Sequence, residues 1–247
     1  MTPTVGILYP GYAAEQDYDL LNEILDEPVF HVVHTSIGED AHREDALLDM
    51  GAPQRLREGA QQLRDVGVAA AIWACTSGSF IYGWEGAQRQ VAEVEEFLGA
   101  PVSSTSLAFV RAIRALGAER VAVAATYPED VSRRFEEFLT DAGLHPVSLA
   151  SGGIVTAAEV GRLSPDAAFA LAAAGDHLDA EVLLVPDTAM HTIAVLPELE
   201  RAAGKPVLTA NQVTAWDGLR LAGRRDVVTG LGALFGGAPG PSRHGVA

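Results

Sequence analysis

Two stretches decide the fold: AAAIWACTSGSF at residues 69–80 and AEVLLVPDTAMHT at residues 180–192. Each is a short apolar run that ends near a reactive side chain, Cys75 in the first and Asp187 in the second. Working outward, VGILYPG (5–11) precedes the first run and VAVAATYPED (121–130) the second. GAPVSSTSLAFVRAIRALG (99–117) and GKPVLTANQVTAWDGLRLAG (204–223) follow them. Tyr9-Pro10 aligns with Tyr127-Pro128 at an offset of 118 (127 − 9), Cys75 with Asp187 at 112 (187 − 75), and Pro101-Val102 with Pro206-Val207 at 105 (206 − 101). The order is kept while the offset shrinks, so the chain reads as a duplicated unit whose copies face each other across a cleft.

Strand-length apolar runs recur at Val5 to Tyr9, Val29 to Val33, Val68 to Trp73, Val121 to Ala125 and Val182 to Val185. They are mostly unalternated, as in parallel strands covered on both faces. Helix-length stretches lie between them: Pro53 to Val66, Trp84 to Leu98, Ser106 to Leu116, Pro128 to Ala142, Pro165 to His177, Ile193 to Ala203 and Val213 to Leu221. Ser164-Pro165-Asp166 has the form of an N-cap, and Gly99, Gly117 and Gly143 stand where helices should end. The alternation gives an α/β fold: two similar three-layer α/β/α domains with mainly parallel sheets, related by a pseudo-twofold axis. The first domain is expected over residues 1–103 with a return at 209–247, and the second over 104–208. Beyond Val228 the Gly- and Pro-rich tail reads as a short closing element and a frayed terminus.

At 247 residues, 48% hydrophobic and 20% charged, the chain is globular. A net charge of −16 argues against a nucleic-acid partner, which needs clustered Lys and Arg. The apolar runs stop short of membrane-spanning length, and the start lacks the basic region of a signal peptide. One cysteine excludes an internal disulfide and fits a reducing cytoplasm. Expected partners are therefore small molecules or further copies of the chain.

Ligands of open parallel sheets bind beyond the carboxyl ends of the strands. Pro10, Gly11, Cys75, Thr76, Ser77, Tyr127, Asp187 and Thr188 all fall there. Amides of the TSGS turn and the start of a helix at Cys75 would favour a thiolate. The plainer alternative is a small buried hydrophobe. Asp187 is read either as an acid/base facing Cys75 or as a cap of the next helix. Thr76, Ser77 and Tyr127 offer hydroxyls to a carboxylate that becomes an enediolate, although Ser and Thr are also ordinary loop residues and Tyr127 a packing residue. His31 and His34, three apart on a strand, point to opposite faces and do not share a metal. His191 is read as a solvated or capping residue. No metal site is expected, nor a cofactor: the G-L-G of the tail lacks the strand and helix that a dinucleotide site requires.

On these residues the chain resembles the aspartate/glutamate racemase superfamily, in the branch of arylmalonate decarboxylases and maleate cis-trans isomerases. The likeness runs from VGILYP to WDGLRLAG. It implies two α/β domains with the site between them, reactive residues at Cys75 and Asp187, and an oxyanion pocket at Thr76, Ser77 and Tyr127. Decarboxylases of this kind have Gly at the place of Cys75 and their proton-donating Cys at that of Asp187; maleate isomerases have Cys at both. Ala13 and Ala157 occupy places where maleate isomerases carry Asn, which points away from maleate itself. The expected function is a cofactor-independent isomerase or racemase with a small carboxylate or dicarboxylate as its substrate, in which Cys75 adds to an alkene or removes an α-proton, with Asp187 on the opposite face. Decarboxylation of a substituted malonate and non-catalytic binding of small acids are the alternatives.

Overall fold

The computed structural model describes residues 4–236 and contains two four-stranded sheets. β1 (Val5–Pro10), β2 (Phe30–Thr35), β3 (Ala70–Trp73) and β4 (Val102–Ser104) form the first, in the order β2-β1-β3-β4. β5 (Arg120–Ala125), β6 (His145–Ser151), β7 (Val182–Val185) and β8 (Val207–Thr209) form the second, in the order β6-β5-β7-β8. Every pairing is parallel, so the strand ends that carry the reactive residues emerge on one edge of each sheet.

Packing explains why the strands do not alternate. Along β5, Val121, Val123 and Ala125 enter a core shared with the first half, whereas Ala122 and Ala124 enter a second cluster under the helix Pro165–Gly175. Both faces are apolar because both are covered. Gly175 lets that helix lie close: a Cβ there would come within 2.8 Å of the Ala124 Cα and the Val123 carbonyl.

The register corrects one part of the repeat. Ile7 pairs with Ile72 and Val123 with Leu184, so when Ile72 and Leu184 are matched (184 − 72 = 112), β1 and β5 are offset by 116 (123 − 7). Tyr9 therefore corresponds to Ala125 and Gly11 to Tyr127; the shared Tyr-Pro pair lies two residues out of register. The offset of 105 holds, since Ala71 pairs with Val102 and Leu183 with Val207.

Ser164 accepts the Ala167 amide at the start of its helix, and Gly99 ends the helix Gly83–Leu98 with φ 74°. The helix Ala210–Leu221 crosses back to the first sheet, where a Cβ on Gly218 would strike Val5 and Ile72. The short helix Gly232–Phe235 buries Leu234 and Phe235 as the closing element; the frayed terminus lies outside the described residues. Among the described residues no helix is long and apolar enough to cross a membrane.

Candidate active site

A cavity of about 720 Å³, counted with its open mouth, lies between the halves at the carboxyl ends of β1, β3 and β7. Of the residues expected from sequence, Pro10, Gly11, Cys75, Ser77, Asp187 and Thr188 line it. Cys75 and Asp187 thus face one space from the two halves. Thr76 and Tyr127 are buried outside its lining.

Cys75 follows β3, whose ladder to β1 continues through the Ala74 amide to the Leu8 carbonyl. Its sulfur accepts the Gly78 amide at 3.2 Å and lies 3.8 Å from both the Ser77 hydroxyl and the Met50 sulfur. Only 4% of the residue is exposed. Burial pushes the thiol up to about 12; the Gly78 amide and Ser77 hydroxyl oppose this, and Asp187 adds to it. Burial therefore opposes the thiolate expected from the sequence. The helix after Cys75 is a single turn, Ser77–Phe80, and one amide does not offset full desolvation.

Asp187 ends the extension of β7. One carboxylate oxygen accepts the Ala189 amide at 2.9 Å and the other accepts the Thr126 hydroxyl from the end of β5. Accepting an amide two residues on is the bond of an Asx turn, and no helix starts before Ile193. The helix-cap reading of Asp187 is thereby set aside.

The Tyr127 hydroxyl donates to the Pro186 carbonyl at 2.8 Å, tying the ends of β5 and β7. Burial raises its pKa well above the ordinary phenol range. The Thr76 hydroxyl is buried without a hydrogen-bond partner, an arrangement that costs free energy unless something else accepts its proton.

Sequence reading missed several lining residues. Asp40 and His42 come from GEDAHRED, which reads as a solvated charged loop. Instead, Asp40 accepts the Ala157 and Ala158 amides at 2.8 and 3.0 Å, and His42 gives its Nδ1 proton to the Ile154 carbonyl at 2.8 Å. The two bind the first half to the second beside the cavity. Ile37, Leu47 and Met50 add an apolar wall. Tyr9 also lines the cavity, donating to the Thr188 carbonyl at 2.8 Å across the halves. His191 is not simply solvated, since its Nδ1 stands 3.5 Å from Asp17. His31 is exposed, while His34 contacts the Gly11 carbonyl at 2.6 Å.

The family model described as arylmalonate decarboxylase matches residues 50–235. The chain belongs to the arylmalonate decarboxylase family. Within it, arylmalonate decarboxylase of Bordetella bronchiseptica is 29% identical over 95% of this chain and 97% of its own length. Maleate isomerase of Geobacillus stearothermophilus is 28% identical, over 56% of this chain and 55% of its own. Among solved structures, a variant of arylmalonate decarboxylase with a glycine changed to cysteine and a cysteine to serine, in liganded form, has a TM-score of 0.84 at 27% identity, covering 95% of this chain and 99% of that one. A substituted maleate isomerase from Pseudomonas putida S16, with maleate, shares the fold at TM-score 0.85 and 21% identity, over 96% and 98% of the two chains. The named members of the arylmalonate decarboxylase family and its neighbours are decarboxylases and isomerases, and this chain has the two-sheet α/β fold common to them.

Proposed function

We propose that the protein moves protons at the α-carbon of a small carboxylic acid with an apolar substituent, as a racemase or isomerase working through an enediolate. The observation that carries this reading is one cavity faced by Asp187 and by a Cys75 thiol whose proton is held by burial. Asp187 takes the α-proton from one face, and the electron pair it leaves passes into the substrate carboxylate to form the enediolate. Cys75 gives its proton to the other face, leaving an inverted acid, a protonated Asp187 and a Cys75 thiolate. Proton exchange with water restores both groups. Gly78, whose amide already meets the sulfur, supports the thiolate as it forms. The Ser77 hydroxyl, which lines the cavity, suits an enediolate oxygen.

The walls favour a particular substrate. Among the described residues no Lys or Arg lines the cavity, while Asp40 and Asp187 do, so one carboxylate is accommodated better than two. Addition of sulfur to an alkene suits this thiol less well, because the nucleophile is the thiolate.

Decarboxylation of a substituted malonate is the second reading, favoured by the relative similar over nearly the whole chain. A second carboxylate placed near Asp187 would be destabilised and leave as carbon dioxide; its bonding pair forms the enediolate, which Cys75 then protonates. The solved variant that gains a cysteine in place of a glycine and loses another cysteine changes in the direction that the resemblance assigns to Cys75 and Asp187.

Proton NMR of α-aryl acids and α-arylmalonates in heavy water separates the readings. Deuterium at the α-carbon with no carbon lost supports proton transfer, and loss of one carboxyl supports decarboxylation. Neither change, combined with saturable binding of the acids, would identify a non-catalytic binder.

A further inference from the structure

We propose that Asp17, a carboxylate of the first half, is a positioning residue for Asp187 in the second half. The inference rests on the reading of Asp187 as a proton-transfer group. Asp17 lies in the first turn of the helix Gln16–Leu25, and it is 4% exposed. One of its oxygens accepts three N–H groups: the Thr192 amide at 3.1 Å, the Ile193 amide at 3.4 Å and the Asn211 side chain at 3.0 Å. His191 Nδ1 stands 3.5 Å from its other oxygen.

The same Asn211 nitrogen also donates to the Thr188 carbonyl at 3.2 Å. That carbonyl receives the Tyr9 hydroxyl as well. Tyr18, next to Asp17 in the helix, donates to the other end of the Asn211 amide at 3.3 Å and so fixes which way it points. Segment 187–193 is therefore held at both ends: at Thr188 through Asn211 and Tyr9, and at 191–193 by Asp17 directly. Asp187 is the first residue of that segment, and its own Ala189 bond is closed within it.

None of these contacts is needed to build either sheet, since the segment lies wholly beyond β7. Their common effect is to fix the orientation of a turn that carries a lining carboxylate. The buried charge is met by hydrogen-bond donors from the second half and from the returning helix, and by the His191 ring; without them its burial would be strongly unfavourable. Asp17→Asn keeps the shape but turns an amide N–H toward one of these donors or toward His191.

The test uses the full chain and two readouts. The first is amide hydrogen exchange followed by NMR. Asp17→Asn is expected to speed exchange at Thr192 and Ile193 by at least about tenfold while the amides of β1 and β7 keep their protection. The His191 ring, whose pKa is raised chiefly by Asp17 with Glu15 adding to it, should titrate lower. Unchanged protection at 192 and 193, or equal loss across both sheets, overturns the proposal whatever the enzyme does. If Asp17→Asn does not fold, Asn211→Ala, which removes the Thr188 arm, the third donor to Asp17 and the acceptor of the Tyr18 hydroxyl, is scored on Thr188 to Ile193 in the same way.

The second readout is solvent deuterium exchange into each enantiomer of 2-phenylpropionate. Cys75→Ala, which leaves Asp187 as the single base, identifies the enantiomer whose hydrogen faces Asp187, as the one it still exchanges without inversion. Asp17→Asn should slow exchange of that enantiomer by at least about tenfold while its binding, followed by calorimetric titration, stays within about threefold. A matching loss of binding shows a merely structural role. Absence of any exchange in the unaltered protein counts against the proton-transfer reading, and the amide measurement then decides the role of Asp17.

Discussion

The Gly78 amide meets the Cys75 sulfur at 3.2 Å, and a Cβ built on Gly78 would lie 3.0 Å from the same sulfur and 3.3 Å from the Trp73 ring. The donor and the absence of a side chain are one requirement. Gly78→Ala is expected to push the thiol aside, lowering turnover about a hundredfold, the penalty of an ångström-scale misplacement. The cost in stability should be smaller, about 1–3 kcal/mol for overpacking. Steady-state rates and urea unfolding measure the two separately; unaltered turnover would remove the Gly78 contact from the mechanism.

Because burial pushes the Cys75 thiol up to about 12, iodoacetamide should modify it slowly at pH 7 to 9, more slowly than a free thiol of pKa about 8.5. The sign for stability follows. Above the unfolded pKa the folded state holds a proton that the unfolded chain has released, so stability is complete below about pH 8.5 and falls as pH rises toward the folded value. Cys75→Ala should flatten that part of the pH–stability curve. Rapid alkylation at pH 7 would show that the thiol is already ionised.

Asp187→Ala removes the acceptor of both the Thr126 hydroxyl and the Ala189 amide. Each buried group left unsatisfied costs about 1–3 kcal/mol. The expected result is a protein that folds with a lower denaturation midpoint and no longer inverts its substrate. Retention of full inversion would place the second base elsewhere.

Charge should discriminate between acids of like shape. With Asp40 and Asp187 on the wall and no Lys or Arg among the described lining residues, phenylacetate is expected to bind at least about tenfold more tightly than phenylmalonate at neutral pH; tenfold corresponds to about 1.4 kcal/mol. Asp40→Asn should narrow the gap. Calorimetric titration of both acids checks this, and tighter binding of the dianion would favour the decarboxylase reading.

The central strands were legible because covered β1, β3, β5 and β7 leave unbroken apolar runs. β4 and β8 have three residues each and are too short to show a period. β6, HPVSLAS, is a half-exposed edge with Pro146 beside a register shift, and its polar residues concealed it. Of the site, Cys75 and Asp187 could be found because they sit at the matched ends of central strands. Asp17, Asp40, His42 and Asn211 could not: they act through partners up to 194 residues away, and no local pattern encodes such partners.

Two identical chains meeting about a twofold axis would bring the same side chain to both faces of the space between them. Here the copies are covalently joined, and the position beyond each central strand has diverged, sulfur with its hydrogen on one wall and oxygen acceptors on the other. For the chemistry proposed, such a pair divides the roles: hydrogen leaves toward one wall and arrives from the other, and the reverse reaction exchanges those roles. Fusion of the halves is thus what permits chirality to be handled by two unlike groups.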